Sequence, residues 1–349
     1  MIRRSTPRLA TMTTFLVGQL ACSGGDAITP PETSPPPLRD QIVFLNSSPN
    51  NGAGDIYKVS IDGTQLTQLS PVGTFNVCPL VSPDGSHIAY ANATTLYLMN
   101  PDGSGQKSLV VLPTVNDFFY PCPSWSADSR KLAYTITSFV AKNPSPSELW
   151  SINVDGSSPK LLATGFNFGG AIWSPDGTRL LLAWSDFTGA GGPYNFSEDI
   201  VGADGSGRHR ITAAASGASW SPDGSRIAFV CPHTDTFANY RICVGDSNGE
   251  NPVAITPLNM RVGAPEWSPD GKLIGFTCYP SICSVNPDGS QLVMLSPTGS
   301  FIHWSPNSKS VVYLCSPGLC VVGADGSGDR VLVSLTGKNT NPTWSPLSH

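Results

Sequence analysis

Charge is scarce in this chain: Asp, Glu, Lys and Arg make up 13% of its 349 residues. Sustained helical periodicity is missing too, so no segment reads as an amphipathic helix. Set beside 35 Gly, 32 Pro and a 40% hydrophobic fraction, these absences exclude a helical bundle and a charged disordered chain. They leave a compact all-β protein. Basic excess is lacking as well: the formal net charge is −5, with no basic stripe, which argues against nucleic acid as a partner. Beyond the N-terminal leader no run is apolar and long enough to span a bilayer. C-x-x-C and paired Cys/His spacings are also absent, so neither a metal nor another cofactor is expected.

What the chain has in abundance is repetition. Trp173-Ser174-Pro175-Asp176-Gly177 returns as Trp220-Ser221-Pro222-Asp223-Gly224 and Trp267-Ser268-Pro269-Asp270-Gly271, with weaker copies at 81–85, 125–129, 304–308 and 344–348. The copies start about 37 to 48 residues apart, a period that signals an array of one supersecondary unit. After each phrase comes a strand such as Ile88-Ala89-Tyr90 or Ile227-Ala228-Phe229. A second strand then leads to a turn such as Asp102-Gly103 or Asp204-Gly205, and a short strand closes the period. Four short strands with tight turns per period predict a propeller blade. In the turns, Pro presets φ, Asp suits the next position and Gly accepts the positive φ that follows. The repeated Trp is expected to fill the space between adjacent blades.

The first repeat has no Trp phrase, and the last phrase, around Trp344, has no strands after it. The C-terminal segment is therefore expected to supply the innermost strand of the first blade, closing a seven-bladed ring without a free inner edge. A six-bladed ring is the alternative. The Trp-Ser-Pro-Asp-Gly and Asp-Gly-Ser phrases resemble those of TolB-like β-propellers, a bacterial branch of the WD-like propellers, over 41–349. That resemblance implies the propeller fold. It leaves function open, because the family includes binding scaffolds, propellers attached to peptidases, and a few lyases.

Residues 1–21 read as a signal peptide, with Arg3, Arg4 and Arg8 ahead of a short apolar run. Leu20-Ala21-Cys22-Ser23-Gly24-Gly25 resembles a bacterial lipoprotein cleavage box, which implies lipidation of Cys22. Residues 22–40, rich in Pro, then form a tether, and 41–349 the propeller. The expected location is extracytoplasmic, in the periplasm or outer membrane, held to the membrane by the N-terminal lipid alone; plain secretion is the alternative. Removing the leader takes three positive charges and makes the body more acidic.

Eight further cysteines form an even set in an exported chain. Cys231 and Cys243, Cys278 and Cys283, and Cys315 and Cys320 fall on the second and third strands of successive blades, which predicts three hairpin disulfides between opposed residues. Cys78 and Cys122 each stand three before a Trp slot in neighbouring blades and form a fourth expected pair.

The Ser-Pro-Asp-Gly and Asp-Gly turns must share one face of the disc, and the variable loops the other, so recognition is expected on the second face. There the loop 184–199 holds Phe187, Tyr194 and Phe196. Phe118, Phe119, Tyr120, Phe237 and Tyr240 lie in further loops of that face. Inside the ring, Glu266 and His303 precede two successive Trp residues and become neighbours, as one ion pair or hydrogen bond in a polar channel, or alternatively as an acid–base pair or metal ligands; both are candidate binding residues. Gly245-Asp246-Ser247-Asn248-Gly249 matches G-x-S-x-G but fills an Asp-Gly turn slot, so no nucleophile is expected there. With no recognised catalytic residues, the leading expectation is a monomeric, non-enzymatic scaffold binding an envelope protein or glycan. The alternative is a lyase or hydrolase acting on polysaccharide or peptide at the channel mouth.

Overall fold

A computed structural model describes residues 35–346, apart from 48–53, 72, 74–75, 93–94, 112–122, 138–145, 186–195, 212–215, 233–239, 259, 317 and 335–337. Pro35–His349 form one compact unit. The described residues contain 28 strands and no helix. Five separate four-stranded antiparallel sheets follow one another along the chain. An eight-stranded sheet holds the remaining strands and is two such groups joined through the single pair Gly54↔Asn76.

The terminal strands close the molecule as the sequence led one to expect. Strand Lys338–Trp344 pairs antiparallel with strand Gln41–Ser47. Backbone hydrogen bonds from Ser345 to Gln41 (2.8 Å) and from Asp40 to Pro346 (3.1 Å) extend the seam. Trp344 Nε1 donates to the His303 carbonyl of the neighbouring sheet at 2.9 Å.

The same indole bond recurs around the molecule. Trp125, Trp220 and Trp304 donate to the carbonyls of Leu80, Ile172 and Glu266, each one repeat earlier, at 3.0, 3.4 and 3.0 Å. Each ring is buried among apolar side chains of two successive sheets. The repeated Trp is thus the joint between blades, burying its area and, at these four positions, placing its N–H on a partner, whereas the buried indole N–H groups of Trp173 and Trp267 have none. Arg179 and Arg226 cap two of these joints, their guanidinium groups 4.8 Å from the rings of Trp220 and Trp267.

The turn phrases are explained by local hydrogen bonding. In 174–177, Ser174 Oγ donates to Asp176 Oδ1 and accepts from the Arg179 amide, while the Gly177 amide closes the turn on the Ser174 carbonyl. Gly177 stands at φ 69°, and Ser129 and Ser308 adopt φ 59° in copies where Ser replaces it.

Three hairpin disulfides join Cys231 to Cys243, Cys278 to Cys283 and Cys315 to Cys320, each with a Cα separation of 5.8 Å. Their register corrects the expectation of directly opposed residues. Cys278 pairs with Ser281 and Cys283 with Phe276, so the bridge runs diagonally, and the other two follow suit. Cys78 is disulfide-bonded; its expected partner Cys122 lies outside the described residues.

The loop expected over 184–199 is shorter than the sequence suggested. Strand Arg179–Ser185 carries Trp184, and strand Phe196–Gly202 carries Glu198 and Asp199, both buried. The cause is the partners these polar groups find: Trp184 Nε1 donates to Asp199 Oδ1 at 2.8 Å, and Glu198 Oε1 accepts from the Ala218 amide at 3.3 Å.

Candidate functional site

The inner strands of successive sheets surround a cavity of about 580 Å³. Its wall is mostly apolar, from Ile172, Ala264, Pro265 and Phe301, with Thr277 and Tyr279 on the loop side. A second cavity, of about 380 Å³, opens among Ser-Pro turn residues such as Pro83, Pro269 and Pro306. Glu266 and His303 border both.

Strands Glu266–Trp267 and Ser300–Trp304 place this pair side by side. His303 Nδ1 lies 2.9 Å from Glu266 Oε2, and Glu266 Oε1 accepts the Trp304 amide at 3.0 Å. The carboxylate therefore fixes the ring through Nδ1 while being pinned itself to the next strand. His303 is deep in the molecule yet 43% of its side chain faces the channel. Burial works against its charged form, but the charge and hydrogen bond of Glu266 prevail and raise the imidazole above its ordinary pKa. The product is an oriented, readily protonated donor at Nε2.

Above the pair, at the loop-side mouth, stands Phe301. It is 64% exposed and sits at φ 51°, in the left-handed region that bulky residues avoid. The cause is a bulge between Ser300 and His303 in the pairing with strand Ser310–Leu314. Cys78 and Gly217, also three positions before their Trp slots, share this conformation at φ 53° and 58°. Tyr279, 47% exposed, is presented by the Cys278–Cys283 hairpin and bonds through its amide to the Arg261 carbonyl. The Arg261 guanidinium lies 5.0 Å from the Tyr279 ring. An aromatic pair, a cation and a His–Glu couple thus converge at the mouth. Among the described residues, no three His, Cys, Asp or Glu side chains could together hold a metal ion.

A family model described as the TolB beta propeller domain matches residues 91–348. The chain belongs to that family. Among solved structures, TolB from Acinetobacter baumannii matches this TolB-type propeller with TM-score 0.54 and 17% identity, over 90% of this chain and 68% of that one. An oligogalacturonate lyase in complex with manganese gives TM-score 0.67 and 13% identity, over 81% and 86% of the two chains. The β-propeller domain of the Trilobed protease from Pyrococcus furiosus gives 0.62 and 13%, over 86% and 96%. Identities this low show a shared fold alone. No curated protein matches the sequence.

Of the residues expected to bind, the propeller brings Glu266 and His303 together as described. Tyr240 opens strand Tyr240–Asp246 and is half-buried against the core between two blades, rather than displayed on a loop. It packs there because its strand partner Pro232 ends the preceding strand at the same level. Phe196 begins a strand, and its side chain lies outside the described residues. So do Phe118, Phe119, Tyr120, Phe187, Tyr194, Phe237 and the candidate lipidation site Cys22. Phe301, Tyr279 and Arg261 escaped sequence reasoning. The one usable signal was position: Phe301 fills the slot that Gly217 fills in an earlier repeat.

Proposed function

We propose that this TolB-type propeller is a non-enzymatic binding scaffold: a seven-bladed ring whose loop side grips a protein or glycan of the cell envelope at the channel mouth. The observation that carries this reading is Phe301, an exposed aromatic held in a costly backbone conformation where burial gives nothing back. Strain of that kind collects at ligand-contacting positions. Exposed aromatics beside a cation supply the large, rigid contacts that dominate recognition surfaces. The hairpin disulfides support an extracytoplasmic setting, since such bonds persist in oxidising compartments. Lipidation at Cys22 and a Pro-rich tether complete the proposal.

The test is crosslinked capture from intact envelopes. Phe301→Ala and Tyr279→Ala should each weaken capture by about tenfold or more, while Glu266→Gln leaves it in place. Undiminished capture by both aromatic variants would remove the mouth from the account. Mass spectrometry of the N-terminal peptide checks the lipid.

A second reading, a lyase or hydrolase, is favoured by one observation: an imidazole held through Nδ1 by a carboxylate at the edge of the channel cavity. Among the described residues no three His, Cys, Asp or Glu side chains could hold a metal such as the manganese named with the oligogalacturonate lyase. Glu266 uses both oxygens on His303 and Trp304, leaving one imidazole nitrogen. Turnover of an oligosaccharide or peptide that His303→Ala abolishes, with capture intact, would replace the scaffold by an enzyme.

A further inference from the structure

On the same side as the channel mouth, but at the outer rim, a separate cleft of about 400 Å³ opens among Phe166, Trp184, Asp199, Arg208, His209 and Arg210. Asp199 organises it. Its buried carboxylate accepts from Trp184 Nε1 at 2.8 Å and from Arg208 Nε at 2.7 Å. Arg208 is fixed further by a bond to the Thr164 carbonyl at 2.7 Å and lies 5.2 Å from the Phe168 ring. Asp199 and Arg208 thus neutralise one another.

Arg210 is left over. Its Nε stands 3.9 Å from Asp199 Oδ1, beyond hydrogen-bond reach. Its guanidinium lies 4.2 Å from the centroid of the Trp184 ring. No hydrogen bond among the described residues uses its donors, and 45% of the side chain is exposed. A guanidinium stacked on an indole keeps its N–H fork free and pre-oriented, the geometry that receives a carboxylate in two parallel hydrogen bonds. Among the described residues lining the cleft, two arginines thus share one carboxylate, an excess of one positive charge in a molecule of net charge −5. Phe166, 51% exposed, adds an apolar platform beside it.

We infer that this rim cleft binds the carboxylate of a uronic acid unit in an acidic glycan. The size of the hollow suits a sugar ring or two rather than the broad, flat footprint of a protein partner. Phe166 offers a face for the ring while Arg210 holds its acid group. The inference rests on the scaffold reading and gives its partner a chemical class, through residues that play no part in the channel mouth.

The experiment measures binding of a hexuronic acid oligosaccharide to the full chain by calorimetry. A neutral hexose oligosaccharide of equal length and a poly-glutamate peptide of equal charge serve as comparisons. Binding of the uronate, weakening with salt and absent for the neutral sugar, is expected. Arg210→Ala should lower it about tenfold or more, and Arg210→Lys should restore it only in part, since charge returns without the fork. Should Arg210→Ala also lower the melting temperature, Arg210→Lys at native stability decides. Equal binding of neutral and acidic sugars, unchanged binding by either Arg210 variant, or equally tight binding of the peptide would overturn the inference. Loss of uronate binding with envelope capture intact sinks this inference alone, whereas uronate binding without any dependence of capture on Phe301 or Tyr279 sinks the mouth alone.

Discussion

A non-glycine residue in the left-handed region gives up about 1–2 kcal/mol, and Phe301 pays this while leaving most of its ring in water. Phe301→Gly should therefore leave stability unchanged or raise it by up to about 1 kcal/mol in urea unfolding, the extra chain entropy of Gly offsetting part of the relief. The fully buried Phe276 behaves oppositely; Phe276→Ala should cost about 3–5 kcal/mol. A large stability loss in Phe301→Gly would show that the ring packs more than it displays. Glu198 is the second residue with a readable thermodynamic signature. Burial pushes its carboxyl up to about 8, against hydrogen bonds from the Ala218 and Gly217 amides that favour the ionised form. The folded protein then keeps a proton that the unfolded chain releases from the ordinary carboxylate range upward. Its contribution is complete at low pH, declines by about 1.4 kcal/mol per pH unit as pH rises towards about 8, and is flat above. Chemical denaturation at pH 5 and pH 8 should show this slope in the native chain and its loss in Glu198→Gln.

At the scale of elements, the turns and hairpins were the most legible part of the sequence, because their chemistry is local. Ser-Pro-Asp-Gly states its own hydrogen bonds within six residues, as 174–179 shows. The cysteine pairs were legible for the same reason, but their diagonal register was not, since register depends on which strand residues meet. Loop ends were misjudged where a polar residue finds a partner across strands: Trp184 and Glu198 look like loop residues until Asp199 and the Ala218 amide are placed. The bridges also differ in expected weight. The closed loop between Cys231 and Cys243 spans a separation of 12, those of the other two a separation of 5. Chain-entropy arguments give about 3 kcal/mol for the first and about 2 for each of the others. Paired Cys→Ala substitutions compared by melting should follow that order; the Cys278, Cys283 double variant should in addition weaken capture, because it frees the hairpin that presents Tyr279.

At the scale of the molecule, the strand Lys338–Trp344 joins the last repeat to the first. Removing 338–349 exposes the inner edge of strand Gln41–Ser47 and the face of the Trp304 sheet that Trp344 covers. The shortened chain should lose its single cooperative unfolding transition, with circular dichroism and fluorescence no longer coincident. A variant melting like the parent would refute closure as the source of cooperativity. This closure was legible because the first repeat lacks what the last one offers. The channel mouth and the rim cleft were not. Ile172, Tyr279 and Phe301 belong to three different repeats, and Phe166 and Arg210 to two, so only the ring's curvature makes them neighbours.

One consequence follows from where the body begins and ends. The Leu38 amide bonds to the Gly85 carbonyl and the Asp40 amide to that of Pro346, both within Ser-Pro turns. The first and last described residues are therefore fastened to the Ser-Pro turns themselves. A pull on either end would thus load the seam that closes the ring rather than one isolated hairpin.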